Sequence, residues 1–293
     1  MKWEEVTACS EELSETAAVS LIEEAALTPK PGLVDKSNTG AHTDLDYNIM
    51  ALSAVALKST FRDIAETSFN QPIDQSLREK IAVIGRHGEK TMLQATGGVN
   101  THKGAIWALG LLTAAAASLN KSSMRAEDIA LTAGKLAQFQ DRRAAYQETN
   151  GSRVKQYYGT RGAKEEAQQG FPHVTLLALP VLYDRRRKQV HEDQARLDAL
   201  LSVMSSLDDS CLLHRGGKNA LQTAKRKSLS ILKAGGVSAF NGYIMLQELD
   251  RELIKINASP GGSADMLAAA LFLDHLIKSP LHLSNAAKKE MTI

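Results

Sequence analysis

The sequence of 293 residues is 43% hydrophobic and 23% charged, which excludes a mainly disordered chain and allows a substantial buried core. Its 35 Lys and Arg residues against 33 Asp and Glu residues give a net charge of +2, so overall charge indicates neither duplex nucleic acid nor an anionic membrane as a partner. The two cysteines, Cys9 and Cys211, are too few for a disulfide framework or a zinc site. No apolar signal segment follows the N-terminus, and we expect a cytoplasmic protein that binds neither nucleic acid nor membrane.

The spacing of apolar residues predicts an all-α fold. Aromatic residues make up only 5% of the chain, and no stretch alternates β-branched with polar residues as strands do. The opening helix must end before Pro29, and its predicted core stripe is Val6, Cys9, Leu13, Ala17 and Leu21. Asp44 is expected to cap a second helix with a core face of Leu45, Ile49, Leu52 and Ala56. Asp74 is expected to cap a third helix carrying Leu77, Ile81 and Ile84.

Further helices are predicted over residues 104–119, 125–145, 172–188, 192–207, 217–233, 238–255 and 263–277. Pro180 is expected to kink the helix that contains it, and the basic run 185–188 is expected to be a solvated helix face. No internal repeat, linker or change of composition divides the chain. We therefore predict a single all-α domain of about ten helices over residues 1–293.

The segment over residues 28–44 is long for a connection in a helical bundle. Two prolines and two glycines restrict its path and present five polar side chains, namely Lys30, Asp35, Asn38, His42 and Asp44. We interpret it as a binding loop. The alternative is a plain connector in which Asp44 serves only as a helix cap.

Residues 96–104 combine glycines with a helix start. Unpaired backbone N–H groups and the positive end of a helix dipole meet there beside Lys103, an arrangement that binds anions such as phosphate. The segment also contains Gly98, Asn100, Thr101 and His102. The spacing is not that of a Walker A loop, and a simple helix stop and restart is the alternative.

Three later segments have similar polar compositions. The first contains Arg161, whose guanidinium can bind phosphate. The second places Asp209 shortly before Arg215 and Gly216. The third contains Ser259, Gly261, Gly262, Ser263 and Asp265, where Ser263 would also serve as a helix cap.

Carboxylates and cations therefore recur at helix ends that a bundle can bring to one rim. The carboxylates are Glu24, Asp44, Asp209 and Asp265, and the cations are Lys30, Lys103, Arg161 and Arg215. Mg²⁺ prefers one or two carboxylates together with substrate phosphates, so this composition indicates a magnesium–nucleotide site.

The chain resembles the triphosphoribosyl-dephospho-CoA synthase family over about residues 24–267, on the strings at 29–35, 98–104 and 259–265. That family makes the prosthetic-group precursor for the acyl-carrier subunit of citrate lyase and, in a sister branch, of malonate decarboxylase. The residues at 34–36, 38 and 40–42 are more similar to the citrate lyase branch. The chain departs from the pattern at Cys211, where the family has Asn, and in about three extra residues before Glu166.

The resemblance implies a glycosyl transfer. The 2′-hydroxyl of 3′-dephospho-CoA would attack C1′ of ATP, adenine would leave, and the product would pass to a transferase that loads the citrate lyase acyl carrier. The four cations would hold phosphates without cleaving them, and Asn100, Thr101 and the glycines would line the nucleotide. The metal ligands for Mg²⁺ would be Asp44, Asp209 and Asp265, and the proton-transfer group would be Glu24 or His42, with His102 next.

Three alternatives to this function stay open at the level of sequence. The same reaction would serve malonate decarboxylase in the sister branch. A Mg²⁺-dependent hydrolase of ADP-ribose-like nucleotides would use the same phosphate contacts with water as the nucleophile. A non-catalytic nucleotide-binding module would keep the fold and bind ATP without turnover.

Overall fold

The computed structural model describes residues 3–120, 124–143 and 149–278 of the chain. These residues form helices and connections without a strand, which confirms the all-α prediction. The α-helices are α1 (Val6–Ala26), α2 (Tyr47–Ser68), α3 (Gln75–Ala95), α4 (Lys103–Leu119), α5 (Ala126–Gln138), α6 (Asn150–Tyr158), α7 (Ala163–Gln168), α8 (Leu179–Arg187), α9 (Glu192–Met204), α10 (Ser210–Lys233), α11 (Gly242–Lys255) and α12 (Gly261–Lys278). A π-helical segment, His173–Ala178, runs directly into α8.

Two helices, α4 and α12, form the centre of the molecule. Both are apolar around most of their circumference, which is typical of helices surrounded by protein. The two helices pack against each other. Helix α4 also contacts α1, α2 and α5, and α12 also contacts α1, α9 and the π-helical segment. One core cluster contains buried residues from Trp3 to Leu276. No helix in the described ranges is long and apolar enough to cross a membrane.

Most of the predicted stripe of α1 is confirmed, whereas the face predicted for the second helix is confirmed at Leu45, which is buried, and wrong at Leu52. Cys9, Leu13, Ala17 and Leu21 are buried, while Val6 is exposed. The cap of α2 is Asp46 rather than Asp44, because the Asp46 side chain accepts the backbone N–H of Ile49. Leu52 is 53% exposed, and the buried residues of α2 include Ser53, Ala54, Leu57, Phe61 and Ile64.

The segment between α5 and α8 differs from its prediction. Helix α5 ends at Gln138, and the end of the predicted 125–145 helix lies outside the described residues. Helices α6 and α7 lie where a loop was expected, and Thr149 begins α6 with a capping box to Ser152. Near Pro180 the helix widens into the π-helical segment, which relieves the clash between the proline ring and the preceding turn.

The basic run at 185–188 is not simply a solvated face. The Arg185 guanidinium pairs with Asp198, which is fully buried. Arg186 donates from Nη1 to both Asp274 oxygens at 2.8 Å and from Nε to Glu192 at 2.9 Å. It thereby joins α8 to α9 and α12, and a periodicity count alone does not detect such inward pairs.

We expect Asp274→Ala to lower the free energy of unfolding by roughly 3 kcal/mol, because it leaves the Arg186 charge without its buried partner. Urea denaturation measures this difference. The matched control is Asp184→Ala, which removes an exposed partner of Lys188 and should leave stability nearly unchanged. Equal stability of the two variants would contradict this account of Arg186.

Candidate active site

A cleft of about 1250 Å³ opens where α4, α10 and α12 begin. Its walls also include the loop after α1 and the segment from α6 to α7. Three helix N-termini at one cavity supply backbone N–H groups and partial positive charge, the features that anions bind. We call this cavity the cleft.

The cleft brings together most of the residues predicted for the site, although they come from distant parts of the sequence. Those that line it are Glu24, Lys30, His42, Asp44, Asn100, Thr101, His102, Lys103, Arg161, Asp209, Arg215, Ser259, Gly261, Gly262 and Asp265. The predicted residues that do not line it are Asp35, Asn38, Gly98, Gly216 and Ser263.

Asp35 and Asn38 fold the loop rather than face the cleft. The Asp35 carboxylate accepts backbone N–H groups from Lys30 at 2.9 Å and Ser37 at 2.7 Å. The Asn38 side chain accepts the N–H of Gly40. Both residues are therefore engaged in fixing the path that carries Lys30 and His42 into the cleft.

Lys30 and Glu24 form a buried ion pair in the wall of the cleft. Lys30 Nζ lies 2.5 Å from Glu24 Oε1, and the two residues are 1% and 3% exposed. Such a pair is stable only while both members are present, because removing one leaves a buried charge. Lys30 is thus a fixed partner that orients Glu24, and it is less free to hold phosphate than the sequence suggested.

Asp209 has a structural role that sequence reasoning did not foresee. Its Oδ1 accepts the N–H of Cys211 at 2.9 Å and caps α10. Its Oδ2 accepts both the N–H of Ser263 at 2.7 Å and the Ser263 hydroxyl at 2.9 Å, at the start of α12. Burial raises the pKa of this carboxyl against the hydrogen bonds that lower it. Asp209 therefore ties two helix N-termini together with its lone pairs engaged, and Ser263 is its donor rather than a helix cap.

Asp265 lies directly against the start of α4. A Cβ atom added to Gly104 would lie 2.0 Å from Asp265 Oδ2, and the backbone N–H of Ala105 donates to the same carboxylate. Asp265 forms no ion pair with the described residues. Burial raises the pKa of its carboxyl well above the ordinary value, and the nearby Glu24 and Asp209 add to the shift.

His42 is held between Arg215 and Ser259. Arg215 Nη2 lies 3.1 Å from His42 Nδ1, and His42 Nε2 lies 3.0 Å from the Ser259 hydroxyl. Since a guanidinium only donates, Nδ1 accepts and Nε2 carries the proton. Burial, with the Arg215 charge, lowers the pKa of His42 and keeps the ring neutral. Arg215 also donates to the Ala41 carbonyl at 2.7 Å, which fixes the loop at this point.

His102 is the most deeply buried of the proton-transfer candidates. Its Nδ1 lies 2.8 Å from the Ser53 hydroxyl, and its Nε2 is buried without a partner among the described residues. Burial lowers the pKa of His102 to about 3, and the charge of Lys30 contributes. His102 is therefore neutral and a weak base near neutral pH.

The remaining predicted cations differ in how free they are. Lys103 Nζ lies 2.9 Å from Glu89 in the cleft wall, whereas Arg161 is exposed. The cleft also contains Arg78, Trp107, Phe139 and Glu166, of which only Glu166 was singled out from sequence. Arg78 and Trp107 lie inside helices and belong to no motif, so no sequence signal marked them.

The acidic residues fit a magnesium ion that arrives with phosphates better than a preformed metal centre. No group of three metal-ligating side chains exists in the described ranges. Asp209 is fully engaged, which argues against its predicted role as a ligand. Asp265 has a carboxylate without a cation, and Asp44 lies exposed at the rim beside His42. One or two carboxylates are what Mg²⁺ needs when phosphates complete its shell.

Gly104→Ala should remove most activity without unfolding the protein, because the new methyl group displaces the Asp265 carboxylate. We expect a loss of about 100-fold, the usual effect of moving a catalytic group by an ångström. Gly85→Ala is the matched control, since the nearest atom there is Ile106 Cγ2 at 3.9 Å. Steady-state rates and melting temperatures of both variants test the expectation, and full activity of Gly104→Ala would contradict it.

His102 should make stability depend on pH. The unfolded chain binds a proton near pH 6.5 and the folded chain only near pH 3, so the stabilisation is complete above pH 6.5 and is lost as pH falls toward 3. Between pH 7.5 and 5.5, the wild-type protein should lose about 1.4 kcal/mol more unfolding free energy than His102→Gln. Urea titrations at both values measure this, with the exposed His87→Gln as control. A pH slope unchanged by His102→Gln would refute the assignment.

Comparison with known proteins gives the family. A family model described as "CitG: ATP:dephospho-CoA triphosphoribosyl transferase" matches residues 10–282. A Klebsiella pneumoniae protein named 2-(5''-triphosphoribosyl)-3'-dephosphocoenzyme-A synthase is 48% identical over 90% of this chain and 94% of its own length. A Pseudomonas fluorescens protein with the probable form of the same name is 49% identical over 91% of this chain and 92% of its own length. No solved structure matches the chain. With a family model covering most of the sequence and relatives near half identity, the chain belongs to the ATP:dephospho-CoA triphosphoribosyl transferase family.

Proposed function

We propose that this protein transfers the triphosphoribosyl group of ATP to 3′-dephospho-CoA with release of adenine. The observation that carries the proposal is the cleft, which joins carboxylates, cations and three helix N-termini from five separate segments. This environment suits an anchored polyphosphate whose sugar, rather than its phosphorus, is attacked. The names of the relatives describe the same reaction.

The starts of α4 and α12 would hold the triphosphate, with Lys103 and Arg215 as charged donors at either side. Asp265, with Asp44 at the rim, would hold Mg²⁺ that comes with ATP. When bound, Mg²⁺ neutralises charge on the triphosphate. The residues of the chain then position C1′ of the ribose for attack.

We assign the general base to Glu24. His42 uses both ring nitrogens, toward Arg215 and Ser259, and His102 is too weak a base. Glu24 lines the cleft, and Lys30 holds only its Oε1, which leaves Oε2 to accept the proton of the attacking 2′-hydroxyl. The hydroxyl oxygen forms the new bond to C1′, and adenine leaves with the electron pair of the C1′–N9 bond and takes up a proton from water.

The decisive experiment measures free adenine by mass spectrometry. The protein is incubated with ATP and Mg²⁺, with and without 3′-dephospho-CoA, and with EDTA replacing Mg²⁺ in a third arm. Adenine release that requires the CoA compound supports transfer. Release without the CoA compound supports the hydrolase, and ATP binding without release supports the non-catalytic module.

Glu24→Gln should lower kcat for adenine release by at least about 100-fold while ATP binding persists, because the amide cannot take a proton. Glu24→Asp keeps the charge beside Lys30 and only retracts the carboxylate, so it tests the same role in a fold-preserving variant. Glu23→Gln is the matched control, since Glu23 contacts His275 and Arg196 outside the cleft. Near-normal turnover of both Glu24 variants would rule out this base.

The downstream steps complete the proposal. The loops at 34–36 and 40–42 favour the citrate lyase branch, so the product would pass to a transferase that loads the acyl carrier of citrate lyase. Accumulation of the product in a cell that has malonate decarboxylase but no citrate lyase would favour the sister branch. A cytoplasmic location agrees with Cys9 and Cys211, which are both free thiols.

A further inference from the structure

Arg78 is a buried guanidinium that has no ion-pair partner in the described part of the chain. It lies in the first turn of α3, is 7% exposed and lines the cleft. Its Cζ lies 5.1 Å from the centre of the Trp107 ring, which supports the flat face of the guanidinium. Its Nε is buried without a hydrogen-bond partner, and no ion pair joins Arg78 to a carboxylate within the described ranges.

Three carboxylates that line the cleft together with Arg78 already have partners. Asp141 pairs with Arg86, and Glu89 pairs with Lys103. Glu166 accepts from the ring and the backbone of His173 at 2.7 and 2.9 Å. A buried charge without a partner is costly, and the protein keeps such a group where a ligand completes it. The missing partner is therefore an anion that enters the cleft.

The proposed reaction requires two separate anion sites, and this step rests on the proposed function. Each substrate carries its polyphosphate on the 5′ carbon of its own ribose. The attacked C1′ and the attacking 2′-hydroxyl must approach each other, so one tail cannot occupy the site of the other. The triphosphate is assigned above to the starts of α4 and α12, which leaves the diphosphate of 3′-dephospho-CoA without a site.

We propose that Arg78, supported by Trp107, binds the diphosphate of 3′-dephospho-CoA without a metal ion. A diphosphate diester carries two negative charges and presents pairs of oxygens that match the two-pronged guanidinium. The absence of an uncommitted carboxylate among the described neighbours of Arg78 suits an anion that arrives without Mg²⁺.

The spacing along α4 agrees with two sugars that meet between the sites. Gly104 lies against Asp265 at the start of α4. Trp107 lies about one helical turn further along the same helix, a rise of roughly 5 Å. Glu89 and Arg78 lie on one face of α3, about 16 Å apart along its axis. The cleft therefore extends well beyond the Asp265 end, far enough to hold a second nucleotide.

The test compares binding of each substrate alone by isothermal titration calorimetry. The probes are 3′-dephospho-CoA in EDTA and ATP with Mg²⁺, applied to the wild type, Arg78→Gln, Arg78→Lys and the control Arg125→Gln. Arg125 is an exposed arginine whose partner is Asp128, and it lies outside the cleft. We expect Arg78→Gln to weaken 3′-dephospho-CoA binding by about 10- to 100-fold, the value of charge-assisted hydrogen bonds. ATP affinity should change less than twofold, Arg78→Lys should recover part of the loss, and Arg125→Gln should match the wild type.

A second measurement follows tryptophan fluorescence and begins with the wild-type protein. Trp107 lines the cleft, whereas Trp3, the other tryptophan, is buried elsewhere. Addition of 3′-dephospho-CoA in EDTA to the wild type should change tryptophan fluorescence, and Trp107→Phe should abolish the change. No change in the wild type would overturn the proposal. So would unaltered 3′-dephospho-CoA affinity in Arg78→Gln, or an ATP affinity that falls as much as that of the CoA compound.

Failure of this inference is distinguishable from failure of the proposed function. If the wild type releases adenine only with 3′-dephospho-CoA while Arg78→Gln binds it normally, the transfer stands and the Arg78 assignment falls. If the wild type releases adenine without the CoA compound, the proposed function itself is wrong.

Discussion

The site depends on carboxylates that occupy helix N-termini. Asp209 accepts backbone N–H groups at the starts of both α10 and α12, and Asp265 accepts one at the start of α4. Each contact satisfies a backbone N–H group that has no partner within its helix, and places a carboxylate at the positive end of the helix dipole. Because these acceptors come from other helices or join two of them, the starts of three helices are fixed against one another. The positions of Lys103, Arg215 and the glycines around the cleft follow from this arrangement.

The sequence was sufficient for the fold class and for much of the site. Apolar spacing predicted α1 and α3, and glycine-rich segments at 96–104 and 259–265 marked residues that the cleft brings together. Prediction from sequence failed where contacts between residues distant in the chain decide which side chains are buried. Leu52 is exposed because the buried face of α2 is set by its packing against α1, α3 and α4, which the spacing of its own residues does not show. Arg186 turns inward because α9 and α12 provide partners that are distant in sequence.

The roles of individual site residues were harder to predict than their location. Asp209 was a reasonable metal ligand by composition, but its neighbours across 50 residues of chain engage its oxygens. Asp35 carries the same chemistry and yet serves the path of its own loop. Arg78 and Trp107 carried no motif at all, since they belong to two helices whose shared face exists only in the folded protein. Composition thus located the cleft. The hydrogen bonds of the folded protein then showed that Asp209 and Asp35 support the backbone around it.

Two ionisable groups that line one cavity without a partner of opposite charge have a thermodynamic consequence for the free protein. Asp265 lacks a cation and Arg78 lacks an anion among the described residues, and their contacts are the backbone N–H of Ala105 for Asp265 and the Trp107 ring for Arg78. The free energy of unfolding of the ligand-free protein is therefore lower than it would be if both groups had partners. A ligand that binds only the folded protein would restore that stability and would make the surrounding helices more rigid when the cleft is occupied.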